Sequence, residues 1–407
     1  MVRPKLWAED GAVFLTNAYQ TGAAGLFEPY AGYLHVVPRL IAKLGSWMPV
    51  EVVPGWFLIC SWLLLAWSLS EVASQRFTAL RAGAVPRIAI GCGLCLAPGL
   101  VEVFGNLANL HSVAVLWLSV IAARAAGTRL NRAERVALVL CVFSAGEAVL
   151  LLPLFCLRSL AARFRGPGQL DDRLAAGALA IAALVNAAHH FADPADLPAP
   201  VGEVIPAALH AVAWGLAIEP LAGSRGAAAI WTAAPALYVV LAVGLIGLLA
   251  AAALRDRTRQ TWPLAASVAS VAFLPLLTGL VRSTWLALIA SGPTDAFAWW
   301  RHSFHLAPIG LIAWAVLLSR WRSGGAEALP ASRWSSWPAG ALGVAAVLLA
   351  LPRWGIDELQ GPRWRPTLEQ ARSSPTGACA AGAAFVNLPI APAGWFVTLP
   401  RAKLCGR

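Results

Sequence analysis

Two adjacent carboxylates, Glu9 and Asp10, lie near the start of the chain in the sequence Trp7-Ala-Glu-Asp-Gly11. Only 13% of the 407 residues are charged, and 59% are hydrophobic. A carboxylate pair in such a chain could act as a general base towards a hydroxyl, or it could bind a metal ion. The alternative is structural, because acidic residues also favour the first turn of a helix and residues 8–19 could form a short one.

Basic and aromatic residues form two further groups that could bind a phosphate. His35 and Arg39 are four residues apart, so they share one face if their segment is helical, and an arginine can hold a phosphate through two parallel hydrogen bonds. In the run Trp299-Trp-Arg-His-Ser-Phe-His305, Arg301 could clamp a diphosphate or a lipid phosphate. The alternatives are side chains that snorkel to the interface for the first group, and an aromatic belt for the second.

A third polar group consists of Glu102, Asn106, Asn109 and His111, which lie between two apolar segments. These side chains could line a sugar pocket, or they could serve only as turn and cap residues. The sequence has no G-x-x-x-x-G-K-[ST] loop, so ATP-driven transport by this chain is not expected. It also has no H-E-x-x-H or G-x-S-x-G motif.

Long apolar segments must position these groups. The mean hydropathy is +0.67, and apolar runs of about 17–25 residues predict transmembrane helices. The runs are continuous and do not alternate, which excludes a closed β-barrel. The predicted spans are roughly 50–70, 87–104, 107–124, 173–189, 229–253, 262–281, 303–319 and 336–352.

The arginines predict the orientation of these spans. The net charge of +11 does not indicate nucleic-acid binding, because the arginines fall in short clusters between the spans. Every second loop is basic, as is typical of cytoplasmic loops. We therefore predict that the cytoplasmic loops are 71–86, 125–135, 159–172, 254–261 and 320–335.

Residues 136–157 interrupt this alternation, because they are apolar but have basic residues on both sides. A single span would place one basic flank outside the cell. A re-entrant hairpin broken near Ser144-Ala-Gly146 would keep both flanks inside, and such a backbone is tolerated where it is buried in protein or lines a cavity. We also predict amphipathic helices on the outer interface at 33–48 and at 205–221.

The C-terminal residues differ in composition from the rest of the chain. Prolines exclude a long helix in 353–407, and two β-prone runs around Pro389-Ile-Ala-Pro-Ala-Gly394 predict a β-hairpin. Cys379 and Cys405 are the only cysteines of this segment, and we predict that they form a disulfide. The predicted organisation is an extracytoplasmic acidic loop with interfacial helices at 1–49, a transmembrane bundle at 50–352, and an extracytoplasmic cap at 353–407.

These motifs resemble the GT-C superfamily of membrane glycosyltransferases, which use polyprenyl-phosphate-linked sugars. The acidic pair, the string Pro29-Tyr-Ala-Gly-Tyr-Leu-His-Val-Val-Pro-Arg39, the segment Asn106-Leu-Ala-Asn-Leu-His111 and the Arg301 segment look similar to a group of bacterial members. Relatives often carry Arg-Tyr where this chain has Arg301-His302. They also normally carry a span before the acidic loop, and no apolar span precedes Trp7 here.

The resemblance implies a catalytic carboxylate in the first outer loop, with Asp10 as the predicted base and Glu9 as its helper or ligand. The predicted donor-phosphate ligands are Arg301, Arg39 and His35. The residues predicted to line the pocket are Glu102, Asn106, Asn109, His111 and His302. A divalent metal at the carboxylates is an open alternative, and no other cofactor is predicted.

We therefore predict an all-α polytopic protein of a bacterial plasma membrane, with a GT-C-like bundle and an extracytoplasmic active face. It would transfer a sugar from a polyprenyl-phosphate donor to a hydroxyl of an extracytoplasmic glycan, lipid or protein. The alternative is a non-catalytic transporter or an assembly subunit for lipid-linked glycans. The lack of an internal repeat and the clustering of polar residues on one side favour the enzyme.

Overall fold

The chain folds into a mostly helical bundle with one small antiparallel sheet. A computed structural model describes residues 5–80, 82–95, 106–125, 127–162, 168–192, 200–255, 262–273, 275–276, 306–321, 337–350, 362–373, 379 and 383–405. The predicted fold class is confirmed at this level, as a helical chain with apolar helices and a two-stranded sheet.

The helices of the first half begin with a π-helical turn, Asp10–Leu15, that runs into a short helix. In chain order they are α1 (Thr16–Gln20), α2 (Val36–Gly45), α3 (Val53–Ala73), α4 (Ala84–Cys95), α5 (Leu110–Ala123), α6 (Arg132–Val142), α7 (Leu152–Ala162) and α8 (Gln169–Ala192). A 3-10 turn, Ala24–Phe27, precedes α2, and another, Gly146–Leu151, precedes α7.

The second half contains the remaining helices and the sheet. In chain order they are α9 (Val201–Val212), α10 (Glu219–Ala233), α11 (Pro235–Arg255), α12 (Trp262–Ala272), α13 (Leu306–Trp321), α14 (Trp337–Ala350), α15 (Trp364–Ser373), β1 (Phe385–Ile390), β2 (Trp395–Pro400) and α16 (Arg401–Cys405). A π-helical turn, Ala213–Ile218, joins α9 to α10.

Three helices are long and apolar enough to cross a membrane, judged by length and composition among the described residues: Val53–Ala73, Val201–Gly223 and Pro235–Ala252. The second of them includes the segment 205–221, for which we predicted an interfacial helix. The mean hydropathy over an 18-residue window of this 23-residue helix is 1.6.

The bundle has two ends. The cap end contains the start of α3, where the indole nitrogen of Trp364 donates to the carbonyl of Val50 at 2.8 Å. The arginine end contains the start of α4, where Arg87 donates to the carbonyls of Val72 and Ser74 at 3.1 and 2.6 Å. The chain therefore descends through α3 from the cap end to the arginine end and returns through α4.

Helix α14 runs parallel to α4 along a line of close backbone contacts. Gly340 lies against Pro86, and Gly343 lies against Ala89. A Cβ atom at Gly343 would lie 2.5 Å from the carbonyl carbon of Ala89, so a glycine is needed for this approach. Because α14 ascends with α4, it leads the chain back towards the cap end.

Residues 132–160 form a helical hairpin whose two arms are bent by 114° at the break after Val142. The two outer ends of the hairpin, which we call its feet, lie at the arginine end. Arg135 on the first arm donates to Asp171 at 2.5 Å, and Arg158 on the second donates to the carbonyl of Ala122 at 2.8 Å. A single span would separate these flanks, so the predicted break near Ser144 and the shared side of the flanks are both observed.

A buried ion network holds the feet of the hairpin against α3 and α5. Arg124 at the end of α5 pairs with Glu71 of α3 and, at 3.0 Å, with Glu134 of α6. Arg76 also pairs with Glu134, at 2.6 Å. Arg124, Glu71 and Glu134 are all less than 9% exposed, so this network is shielded from water.

The C-terminal cap packs against the N-terminal segment. Strands β1 and β2 pair antiparallel, with Phe385 opposite Pro400, which confirms the predicted β-hairpin. The amide of Thr398 donates to the hydroxyl of Thr16 at 3.0 Å, and the amide of Ala391 donates to the carbonyl of Leu6 at 3.1 Å. The cap thus encloses the acidic segment that precedes α1.

Cys379 and Cys405 form a disulfide, with their Cα atoms 5.8 Å apart. The change Cys379→Ser should lower the free energy of unfolding of the cap by about 3 kcal/mol, because the unfolded chain loses a crosslink. Thermal unfolding with and without a reductant measures this effect. The change Cys156→Ser, at an exposed free cysteine, is the control. An unfolding curve that the reductant leaves unchanged would contradict the prediction.

Candidate functional site

Asp10 is buried at the start of the π-helical turn, with 1% of its surface exposed. Its two carboxylate oxygens accept hydrogen bonds from the amides of Leu107 and Ala108, at 3.0 and 2.9 Å. Burial raises the pKa of Asp10 to about 8, against the lowering effect of the two amides, and the neighbouring charge of Glu9 raises it slightly further. Asp10 therefore holds the loop that leads into α5.

Glu9 is also buried, with 8% of its surface exposed. Neither carboxylate of the pair therefore reaches bulk solvent. Asp10 anchors a backbone segment that is remote in the sequence. The structure thus gives a structural task to Asp10, the residue that we predicted as the base.

Aromatic and histidine rings form a cluster beside this turn. The ring of His35 lies 4.2 Å from that of Tyr33, 5.3 Å from that of Phe14 and 6.1 Å from that of His111, measured between centroids. The Nε2 atom of His35 lies 3.2 Å from the carbonyl of Tyr30. The cluster brings the start of α2 to the start of α5, two regions that are far apart in the sequence.

Arg39 lies on α2 next to this cluster and is only 3% exposed. Its guanidinium group lies 5.5 Å from the centre of the Phe14 ring and 3.9 Å from the carboxylate of Glu28. Burial lowers the pKa of Arg39, and the charge of Glu28 acts in the opposite direction. Its Nε atom is buried and makes no hydrogen bond to any described residue.

The loop before α5 carries two of the predicted amides. Asn106 and Asn109 are 4% and 3% exposed, and the side-chain oxygen of Asn106 accepts from the amide of Asn109 at 3.4 Å. The Nδ1 atom of His111 donates to the carbonyl of Ala108 at 2.8 Å. Ala108 thus connects Asp10, which binds its amide, to His111, which binds its carbonyl.

Glu147 completes the cluster, and the sequence analysis did not select it. It lies in the turn of the hairpin, and its Oε1 atom is 3.9 Å from Nε2 of His111. The same turn is tied to α2, because the amide of Val37 donates to the hydroxyl of Ser144 at 2.8 Å. The missed signal was that Glu147 is the only charged residue in the apolar stretch 136–157.

A small apolar groove lies between α2, α3, α5 and α6, next to this cluster. Val37 and Leu110 line it beside Ser144 and His111, and further along it is lined by Leu64, Trp67, Val113, Ala114, Trp117 and Cys141. The arrangement therefore combines a polar cluster with an adjoining apolar groove.

The structure brings most of the predicted site residues into one region at the cap end. These are Glu9, Asp10, His35, Arg39, Asn106, Asn109 and His111. The predicted site residues Glu102, Arg301 and His302 lie outside the described residues. Within the described parts of the chain, no group of three or more His, Cys, Asp or Glu residues could hold a metal ion.

Comparisons with protein-family models, with curated proteins and with solved structures found no match to this chain. The fold and the site therefore define the class of this protein by its architecture alone. It is a mostly helical protein with helices long and apolar enough to cross a membrane, a helical hairpin and a buried polar cluster under a small cap.

Proposed function

We propose that this chain is a glycosyltransferase that moves a sugar from a polyprenyl-phosphate donor to the hydroxyl of a glycan, lipid or protein. The observation that carries the proposal is the apolar groove that ends beside the polar cluster of His35, His111 and Glu147. A lipid-linked sugar has the same division, with an apolar tail joined to a charged and hydroxylated head.

In this proposal the protein crosses a bacterial plasma membrane several times, with the cap end on the extracytoplasmic side. Arg76, Arg87, Arg124 and Arg158 lie at the opposite end of the bundle. An excess of arginine marks cytoplasmic loops, so this arrangement favours the proposed orientation. The acceptor would then reach the site from the side of the cap.

The donor phosphate would lie near Arg39 and His35. Arg39 is largely withdrawn from water, and a desolvated guanidinium binds a phosphate more strongly than an exposed one does. Its only carboxylate contact in the described chain, to Glu28, is 3.9 Å long, which exceeds a hydrogen bond. Arg301 would contribute to the same phosphate site.

The reaction transfers the anomeric carbon of the sugar from a phosphate oxygen to the acceptor oxygen. The phosphate is a good leaving group, but the acceptor hydroxyl must lose its proton. Asp10 already accepts two amide hydrogen bonds, so we assign it the positioning of the loop at residues 106–109. Another group of the site must then accept the proton.

Transfer by the purified protein in lipid nanodiscs tests the proposal. The probes are farnesyl phosphate esters of radiolabelled mannose, glucose, galactose and N-acetylglucosamine, with octyl glycosides as acceptors. We expect transfer from at least one donor. Absence of transfer from all of them contradicts the proposal, and donor binding without transfer favours the transporter or assembly subunit.

Arg39 gives a prediction for donor recognition. The change Arg39→Ala should weaken inhibition by farnesyl phosphate about tenfold or more, because a hydrogen bond to a charged group contributes about 1.5–3 kcal/mol. Arg39→Lys should weaken it less, since lysine keeps the charge but loses the two-pronged geometry. Inhibition constants for farnesyl phosphate, with farnesol as the uncharged comparison, measure the effect.

Lys43 on the same helix provides the matched control, because its ammonium group donates to the carbonyl of Ala18. Lys43→Ala should leave inhibition by farnesyl phosphate unchanged. Melting temperatures of all variants separate binding from folding. Equal inhibition of the wild type and a folded Arg39→Ala variant would remove Arg39 from the phosphate site.

A further inference from the structure

Glu147 lies in the turn of the hairpin and is the only charged residue of the apolar stretch 136–157, where a charged group is costly. We propose that Glu147 is the catalytic base that takes the proton from the acceptor hydroxyl, and that His111 positions it. This inference rests on the proposed glycosyl transfer. It adds a residue that the resemblance to known glycosyltransferases did not supply.

The hydrogen bonds of the site favour Glu147 over Asp10. Both oxygens of Asp10 are used by backbone amides, and only 1% of that residue is exposed. The side chain of Glu147 is 25% exposed, so an acceptor can reach it. Its Oε2 atom is buried and makes no hydrogen bond to the described part of the chain, so its capacity to accept one is unused.

The orientation of His111 suits an interaction with Glu147. Its Nδ1 atom donates a hydrogen bond to the carbonyl of Ala108. Its Nε2 atom faces Glu147 and is the atom that can accept a second proton. The distance of 3.9 Å is too long for a direct hydrogen bond, but a small movement of either side chain closes it. His111 is therefore a positioning residue that can receive the proton from Glu147.

The surrounding backbone fixes the turn that carries Glu147. A Cβ atom at Gly146 would lie 3.0 Å from the ring of Tyr33, so the ring packs directly on the glycine. The hydrogen bond from Val37 to Ser144 ties the other side of the turn to α2. The hairpin thus delivers Glu147 to the cluster from the arginine end of the bundle.

The step balances as follows. The acceptor O–H bond breaks, its proton goes to a carboxylate oxygen of Glu147, and the electron pair of the acceptor oxygen forms the new bond to the anomeric carbon. The bond from that carbon to the phosphate oxygen breaks, and its electron pair leaves with polyprenyl phosphate. Glu147 then passes the proton to Nε2 of His111 and from there to water.

The test compares two nucleophiles in the Glu147→Gln variant. With octyl glycosides as acceptors, the rate constant kcat should fall about 10²–10⁴-fold, the usual effect of a positioned general base. With azide, which is an anion and has no proton to remove, the rate should equal that of the wild type. Glu147→Asp and His111→Gln should show smaller losses with hydroxyl acceptors and none with azide.

Three controls make the outcomes separable. Glu203→Gln, at an exposed carboxylate on α9, should leave both reactions unchanged. Melting temperatures identify a variant that fails to fold, and in that case Glu147→Asp, which keeps the carboxylate, provides the comparison of hydroxyl with azide. A wild type that transfers sugar to neither nucleophile refutes the glycosyl transfer itself, and the base with it.

Two results would contradict the assignment of Glu147 as the base without contradicting the proposed glycosyl transfer. One is hydroxyl transfer by a folded Glu147→Gln variant at the rate of the wild type. The other is an equal loss of hydroxyl and azide transfer, which would mean that Glu147 binds the donor. A loss confined to hydroxyl acceptors supports the proposal.

Discussion

The change Arg124→Ala is expected to lower the free energy of unfolding by about 3–5 kcal/mol, the usual cost of breaking a buried ion pair. Arg124 is 1% exposed and lies between the carboxylates of Glu71 and Glu134. Its loss leaves Glu71 buried without that cation. Because Arg158 donates to the carbonyl of Ala122 in the adjoining turn, the foot of the hairpin should loosen as well.

Denaturant titration in detergent measures this effect, with Arg132→Ala as the control at an exposed arginine of the same region. The double variant Arg124→Leu with Glu71→Leu should recover much of the loss, because it removes both buried charges together. A folding free energy of Arg124→Ala equal to that of Arg132→Ala would show that the network does not stabilise the bundle.

The second large effect is expected for Asp10→Ala, which should reduce both stability and the proposed sugar transfer. The amides of Leu107 and Ala108 would lose their acceptor in a buried place, and each unsatisfied group costs about 1–3 kcal/mol. The loop would then no longer hold Ala108, to which His111 is bonded. Transfer should therefore fall even in molecules that remain folded.

The pH dependence of stability provides the second measurement on Asp10. Burial raises the pKa of this residue from 3.8 in the reference state to about 8, so the folded protein binds an extra proton between these values. The free energy of unfolding should therefore fall as the pH rises from about 4 to about 8. In Asp10→Asn, which cannot titrate, this component of the pH dependence should be absent.

Melting temperatures at pH 5 and pH 9 show the difference between the wild type and Asp10→Asn. Glu203→Gln, at an exposed carboxylate on α9, serves as the control. Identical pH profiles for the wild type and Asp10→Asn would contradict the assigned environment of Asp10. Wild-type transfer by a folded Asp10→Ala variant would contradict its positioning role.

Several features could be predicted from the sequence because local patterns determine them. The continuous apolar runs predicted the helices, and the basic flanks of 136–157 predicted that its two ends lie together. Turn residues between two β-prone runs predicted the hairpin of the cap, and the two cysteines of that segment are joined. Each of these depends on the period or the flanks of one segment.

The detailed use of each site residue was decided by the tertiary structure. Asp10 binds a loop 97 residues away along the chain, and nothing in its own neighbourhood specifies that partner. Glu147 became part of the site only because the hairpin carries its turn to His111. A carboxylate takes its role from the donors, cations and water around it, and packing between distant segments supplies these, so the sequence determined the helices and the tertiary structure decided the chemistry of the site.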